Sequence, residues 1–181
     1  MIAGRLIAVV GPSGVGKDSV MSGLAAADPT FHLVRRTITR APELGGEDYD
    51  PVSVEKFNEL AAGGQFAVHW GAHDLQYGIP ASIQTVLARG QDCLANFSRS
   101  ALLAGDATFA RFCVLNVTAR PETLAARLVA RGRESGSQIA KRLAQATKPL
   151  PDGLNVVTIS NDGALKDTVA NALSLLQPVR V

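Results

Sequence analysis

Gly11-Pro12-Ser13-Gly14-Val15-Gly16-Lys17-Asp18 is the stretch that decides the fold of this chain. Leu6-Ile7-Ala8-Val9-Val10 before it reads as a short buried strand, and Ser19-Val20-Met21-Ser22-Gly23-Leu24 after it continues as a helix. A glycine-rich loop between a strand and a helix, closed by a lysine, is a phosphate-binding loop. Gly11, Gly14 and Gly16 let the backbone curl so that successive N–H groups turn inward as an anion nest, with Pro12, Ser13 and Val15 between them. The helix that starts near Lys17 adds the positive end of its dipole, and the Lys17 ammonium can reach the outer phosphates of a nucleotide such as ATP. Asp18 stands where a Ser or Thr usually holds Mg²⁺. A carboxylate is also a hard magnesium ligand, directly or through water, so Asp18 is the expected metal residue. Ser19, one position on, turns to another face of the helix and is the weaker substitute.

Working outward, apolar runs alternate with helical patterns, which predicts an α/β protein with a central parallel sheet in a three-layer fold. The expected strands are 6–10, 31–35, 92–97, 111–117 and 155–159, and the helices between them 17–26, 121–131, 137–147 and 163–176. Pro121 suits a first helical turn that Thr118 would cap, and Asn161 or Asp162 would cap the last helix. Residues 37–90 break the alternation. They offer one short amphipathic helix at 53–60 and short strands at Phe66–Trp70 and near Tyr77, a small mixed sheet inserted to close over a second substrate. The expected organisation is one domain over 1–181, with a core of 1–36 and 91–181, an insertion of 37–90 and a lid at about 131–140.

Composition narrows the partners. The 181 residues are enough for one domain with a core that needs no staples. Hydrophobic residues make up 46% and charged residues 19%, as in a soluble globular protein, and a net charge of +2 is too small to argue for nucleic acid. Met1-Ile2-Ala3-Gly4-Arg5 leads straight into the first strand and no apolar run approaches a membrane span, so the expectation is a cytoplasmic protein without a membrane partner. Cys93 and Cys113 lie in apolar runs that read as neighbouring core strands, as buried free thiols. His69 and His73 have a metal-like spacing, but Trp70, Gly71 and Tyr77-Gly78 place them in strand and loop with no third ligand evident.

The arginines say more than the net charge. Arg131 and Arg133 end one helix and enter the Gly/Ser-rich stretch Gly132–Ser137, and Arg142 lies in the next helix. That is how a mobile lid folds cations over a triphosphate, which phosphoryl transfer needs more than covalent chemistry. Arg35-Arg36-Thr37-Ile38-Thr39-Arg40 follows the second strand, and Asn96-Phe97-Ser98-Arg99 ends the third. Open α/β sheets bind ligands at the carboxyl ends of their strands, so these groups suit a second, anionic ligand. Arg36, Thr39, Arg40, Tyr77, Asn96 and Arg99 are the acceptor candidates; Lys17, Arg131 and Arg142 are the catalytic ones.

Along nearly its whole length the chain resembles the guanylate kinase family: Gly-Pro-Ser-Gly-Val-Gly-Lys, then Thr37-Ile38-Thr39-Arg40-Ala41-Pro42, Tyr77-Gly78, Arg131-Gly132 through Arg142-Leu143, and Ser160-Asn161-Asp162. The resemblance implies that Asn161 lies beside the adenine and that Arg131 and Arg142 stabilise the transferring phosphoryl group. Three positions depart from it. Glu43 replaces an arginine that grips the GMP phosphate, Val68 replaces the guanine-reading acid, and Ala95-Asn96-Phe97-Ser98-Arg99 replaces an Asp-x-Asp. A base pocket without its carboxylate loses the hydrogen bonds that discriminate. The departures resemble instead the ribose 1,5-bisphosphate phosphokinases, guanylate-kinase-like enzymes of bacterial phosphonate breakdown. The shared pieces are Lys17-Asp18-Ser19, Ile38-Thr39-Arg40, Tyr77-Gly78-Ile79, Asn96-Phe97-Ser98-Arg99 and Arg131-Gly132-Arg133-Glu134. That resemblance implies Mg²⁺-dependent transfer from ATP to ribose 1,5-bisphosphate, giving ADP and 5-phosphoribosyl 1-diphosphate. The alternatives are a nucleoside monophosphate kinase of altered specificity and a non-catalytic interaction module. Oligomeric state stays open, a homodimer among the options.

Overall fold

A computed structural model describes residues 2–42 and 46–177; Glu43 lies outside the described residues. The chain runs β1 (Leu6–Val10), α1 (Lys17–Ala27), β2 (His32–Leu33), β3 (Arg36–Ile38), β4 (Tyr49–Pro51), α2 (Val54–Ala62), β5 (Phe66–Ala72), β6 (Leu75–Pro80) and α3 (Ile83–Ala88). It continues with β7 (Cys93–Asn96), a 3₁₀ turn (Arg99–Ala101), α4 (Leu102–Thr108), β8 (Phe112–Thr118), α5 (Pro121–Arg131), α6 (Gly136–Ala146), β9 (Val156–Ser160) and α7 (Leu165–Leu176).

The main sheet has the order β2-β7-β1-β8-β9, all parallel. β1 is central and wholly buried, which is why five consecutive apolar residues read as one run rather than an alternation. Its side chains divide by the period of two. Leu6, Ala8 and Val10 join the cluster that includes Ile83, Leu87 and Leu102; Ile7 and Val9 join Val20, Leu24, Leu124 and Val169 on the other face. Helices cover both faces, so the layers are α/β/α. The second sheet, β4-β3-β6-β5, mixes a parallel β3–β4 pair with antiparallel neighbours and grows from the end of β2.

The five expected core strands are present. The second is shorter than 31–35 because the chain leaves for the other sheet after the Val34 N–H meets the Leu94 carbonyl at 2.9 Å. α3 and α4 carry no mark in the sequence reading. They are six and seven residues long, and Gly105 inside α4 lies where a Cβ would meet the Phe112 ring at 2.6 Å. Cys93 and Cys113 are not on adjacent strands: β1 runs between them, and the two thiols lie in opposite layers. Burial pushes the Cys93 thiol up to about 11.

Both cap assignments change. α5 starts at Arg120 with Pro121 following, and Thr118 instead donates its hydroxyl to the Ile159 carbonyl at 3.0 Å. α7 (Leu165–Leu176) has Ala164 as its N-cap residue, beyond Asn161 and Asp162. The Asp162 carboxylate serves the neighbouring helix, accepting the Arg120 N–H at 2.8 Å and the Thr123 hydroxyl at 2.7 Å, which holds its pKa well below the carboxylate range. A side chain that caps across a loop gives no local signal in sequence. His73 and Asp74, at φ 52° and 60°, form the two-residue turn between β5 and β6, so His73 is a hairpin residue. Among the described residues no helix is long and apolar enough to cross a membrane.

Candidate active site

The phosphate loop joins β1 to α1 with Gly14 at φ 83° and Gly16 at φ 96°, conformations that side chains resist. A Cβ on Gly16 would also stand 2.7 Å from Asn161 Nδ2. The loop is held by its carbonyls. Lys17 Nζ donates to Gly11 O at 2.7 Å, Arg127 donates to Val15 O at 3.1 Å, and Asn161 Nδ2 donates to Val15 O at 2.8 Å. Arg127 also donates to the Asn161 carbonyl at 2.6 Å. The amides of Lys17, Asp18 and Ser19 open α1 and have no acceptor within the helix, so they are available to an anion.

Lys17 is partly buried. Burial pushes its ammonium down to about 8; Asp18 counters this, and Arg36 and Arg131 add to it. Burial raises the Asp18 carboxyl and Glu47 raises it further. Asn96, at the end of β7, donates its amide to Asp18 Oδ1 at 3.2 Å. Asp18 is an oxygen donor beside the phosphate nest, the donor chemistry that Mg²⁺ takes. Ser19 is exposed on the outer face of α1.

The arginines of the expected lid sit on a helix–turn–helix. α5 ends at Arg131, Gly132 at φ 64° reverses the chain, and Ser135 with Gln138 forms a reciprocal cap at the start of α6. Arg131 and Arg133 are exposed. Arg142 crosses to the loop, donating to Ser13 Oγ at 2.5 Å, and is held from the other side by Glu134 Oε1 at 2.6 Å.

Across the cleft, Arg36 enters with its side chain 7% exposed and forms a fork-to-fork pair with Glu47, Nε to Oε1 at 2.6 Å. The pair exists because β3 and β4 align Arg36 with Tyr49. The Arg36 guanidinium lies 4.7 Å from the centre of the Tyr77 ring, and Tyr77 stacks on Trp70 at 5.7 Å. Arg40 lies 4.5 Å over the Tyr49 ring, whose hydroxyl donates to the Ala41 carbonyl. Thr39 Oγ1 accepts the Gln76 N–H at 2.9 Å. Arg35 is exposed and ties β4 through Asp48, Asp50 and the Tyr49 carbonyl.

The structure therefore brings Lys17, Asp18, Asn96, Arg36, Tyr77 and Arg142 around one cleft and leaves four expected residues elsewhere: Ser19, Arg133, Asn161 and Arg99. Ser19 and Arg133 face solvent. Asn161 is 5% exposed behind the loop, its Nδ2 on Val15 and its Oδ1 accepting the Thr168 hydroxyl at 2.8 Å. Arg99 does not join the acceptor group. Its guanidinium donates to the Gln145 carbonyl at 2.6 Å and the Ala146 carbonyl at 3.3 Å, at the end of α6. Sequence reasoning missed Arg127, Glu47, Tyr49 and Trp70. Arg127 had a signal, lying four residues before Arg131 on the same face of one helix.

The chain is similar to known proteins in sequence and in fold. Residues 3–176 match the guanylate kinase family. A ribose 1,5-bisphosphate phosphokinase PhnN from Ruegeria sp. (strain TM1040) is 52% identical over 98% of this chain and 94% of its own length. A protein of the same name from Agrobacterium fabrum is 45% identical over 95% of this chain and 96% of its own. In three dimensions a guanylate kinase from Anaplasma phagocytophilum superposes with a TM-score of 0.63 at 14% identity, covering 97% of this chain and 84% of that one, which shows a common fold.

Proposed function

The chain belongs to the guanylate kinase family, and from that premise we propose that it transfers the γ-phosphoryl group of ATP to ribose 1,5-bisphosphate, forming ADP and 5-phosphoribosyl 1-diphosphate. The protein is a phosphotransferase, and relatives named for this reaction cover it almost end to end. The observation that carries the choice of acceptor is the Arg36 guanidinium lying over Tyr77 and locked there by Glu47. An aromatic face that could stack on a base is already covered. Val68 is buried in the core and Asn96 is turned to Asp18, so neither offers a base a carboxylate.

In this reading an oxygen of the acceptor's 1-phosphate attacks the γ-phosphorus, and the bond to the β–γ bridging oxygen breaks. Phosphate is already largely ionised at neutral pH, so no general base is needed. The loop amides and Lys17 hold the β- and γ-phosphates. Arg142 turns from Ser13 to the γ-phosphoryl oxygens, and Arg131 joins it when the lid closes about Gly132. Asp18, oriented by Asn96, is the residue that would hold Mg²⁺, directly or through water. Bound there, Mg²⁺ would neutralise charge on the phosphate oxygens. Arg40, Tyr77 and Thr39 face the acceptor phosphates, and the Arg36–Glu47 pair shapes the wall behind them. We place the reaction in the cytoplasm, the compartment of ATP and of free thiols such as Cys93 and Cys113.

The test is ADP release from Mg-ATP with ribose 1,5-bisphosphate, beside GMP, AMP and ribose 5-phosphate. Turnover with the bisphosphate, with 5-phosphoribosyl 1-diphosphate as product, is expected. Turnover with GMP in its place would overturn the acceptor assignment and leave a nucleotide kinase.

A further inference from the structure

Arg99 comes from the acceptor side of the cleft, yet its guanidinium is bound to the lid. α6 has no buried residue and no basic residue in its last turn. Its final carbonyls carry the negative end of the helix dipole and lack intrahelical donors. Lys148 N–H reaches Gln145 O at 3.2 Å and the Thr147 hydroxyl reaches Ala144 O at 2.9 Å. Arg99 supplies the charged donors, to Gln145 and Ala146. Beneath this end of the helix, between Pro12 of the phosphate loop and Ala146, lies a partly open pocket of about 150 Å³ that Arg99 also lines, so the Arg99 hydrogen bonds supplement the packing of Leu143 and Ala146 on the core.

The other end of Arg99 is fixed. It opens the 3₁₀ turn after β7, and the residue before it, Ser98, accepts the Trp70 indole N–H at 2.9 Å. Trp70 stacks between Phe97 at 5.1 Å and Tyr77 at 5.7 Å. Arg99 thus extends from an aromatic anchor to the C-terminal end of a helix that has no fully buried residue and meets the core through the partly buried Leu143 and Ala146. One turn back on that helix, Arg142 reaches Ser13.

We propose that Arg99 is a positioning residue for the lid: it holds the C-terminal end of α6 so that Arg142 stays over the nucleotide phosphates. The inference rests on the phosphotransferase reading of the lid arginines but not on the identity of the acceptor. It predicts that Arg99 acts through Arg142 and is felt on the nucleotide side, whereas an acceptor-phosphate residue would be felt on the other.

The experiment is a double-mutant cycle of Arg99→Met and Arg142→Ala. It is read first as the affinity of the whole protein for a non-hydrolysable ATP analogue without acceptor, then as KM for ATP and for ribose 1,5-bisphosphate. Arg99→Met is expected to weaken analogue binding and raise the ATP KM about fivefold to tenfold, leave the acceptor KM within twofold, and add less than twofold once Arg142 is Ala. Arg99→Lys, which keeps a cation and single donors at the helix end, is expected to recover most of the loss. A tenfold rise in acceptor KM with nucleotide affinity unchanged, or a full additive loss in the Arg142→Ala background, overturns the proposal. If the wild type binds the analogue but does not turn over the bisphosphate, the acceptor reading fails while the binding cycle still tests Arg99.

Discussion

On the nucleotide side of the cleft the contacts that brace the glycine loop end mostly on backbone: Lys17 on the Gly11 carbonyl, Arg127 on Val15 and Asn161 on Val15 again, with Arg142 on Ser13 Oγ the side-chain exception. On the side proposed for the acceptor they run mainly from side chain to side chain: Arg36 to Glu47 and Tyr77, Arg40 to Tyr49, Tyr77 to Trp70. A site made of backbone needs a particular run of φ angles, and so imposes glycines at fixed spacing within one short stretch. A site made of paired side chains needs only that distant segments meet. The two halves also respond differently to change. The first loses function while keeping its fold, and the second risks both together.

The sharpest way to break that contrast is Lys17→Met. Loss of the ammonium removes charge from the β- and γ-phosphates, and kcat is expected to fall by at least about 10³-fold. Stability should move the other way. The Lys17 pKa is depressed to about 8 in the folded protein, so from about pH 8 upward the unfolded chain holds more protons and wild-type stability rises with pH from this group. At pH 7 the wild type keeps a partly buried ammonium charged, a cost that the Met variant does not carry. The nucleotide-free variant is therefore expected to melt no lower than wild type at pH 7, checked by thermal unfolding. The same pKa sets a titration of binding. ATP needs the charged lysine, so affinity should fall as pH rises through about 8, by about tenfold at pH 9, one unit beyond it. A Met variant that melts several degrees lower would mean Lys17 also holds the loop together.

Glu47→Ala probes the other half. It leaves a buried guanidinium without its partner, which costs about 3–5 kcal/mol. A drop of that size in chemical denaturation is expected. Replacing both partners, Arg36→Met with Glu47→Leu, should recover most of it, since well-packed apolar residues often match a buried ion pair. The double variant is then expected to lose affinity for ribose 1,5-bisphosphate and to gain measurable turnover with AMP or GMP, with ATP KM within twofold. A double variant that stays stable and keeps the wild-type acceptor profile would show that the pair is scaffolding alone.

This contrast also explains what the sequence disclosed. The loop, β1 and α1 are contiguous, and the positions of the core strands follow from short buried apolar runs bounded by turns, while their order does not: Cys93 and Cys113, expected on neighbouring strands, have β1 between them. The helix–turn–helix that carries Arg142 was legible because it is local and its turn, Gly132, is written in it. Glu47 was not legible, because it lies eleven residues from Arg36 and meets it only through the β3–β4 register. Arg99 was placed on the correct strand end but given the wrong partner: strand order locates a backbone, and the reach of a long side chain to Gln145 depends on where α6 ends. Asp162 failed as a local cap for the same reason, since its partners, Arg120 and Thr123, belong to another connection.

Asn161→Ala is the finest of the tests, because the family resemblance and the geometry assign this residue different work. Resemblance puts it beside the adenine. In the structure its amide is buried against Gly16, donating to the Val15 carbonyl while accepting from Thr168. Truncation removes one of two side-chain donors from the Val15 carbonyl and leaves Arg127 in place at 3.1 Å, so the loop should loosen without opening. The expected cost is about 1–3 kcal/mol of stability, the range for a buried hydrogen-bonding partner lost. The expected kinetic effect is a twofold to fivefold rise in the nucleotide KM. Base identity separates the two assignments. A loop held less firmly grips any triphosphate less well, so the KM values for ATP and GTP should rise by the same factor. A rise for ATP alone would mean that Asn161 leaves Val15 and turns to the base when nucleotide binds, and that the backbone character of this half of the site holds only in its empty state.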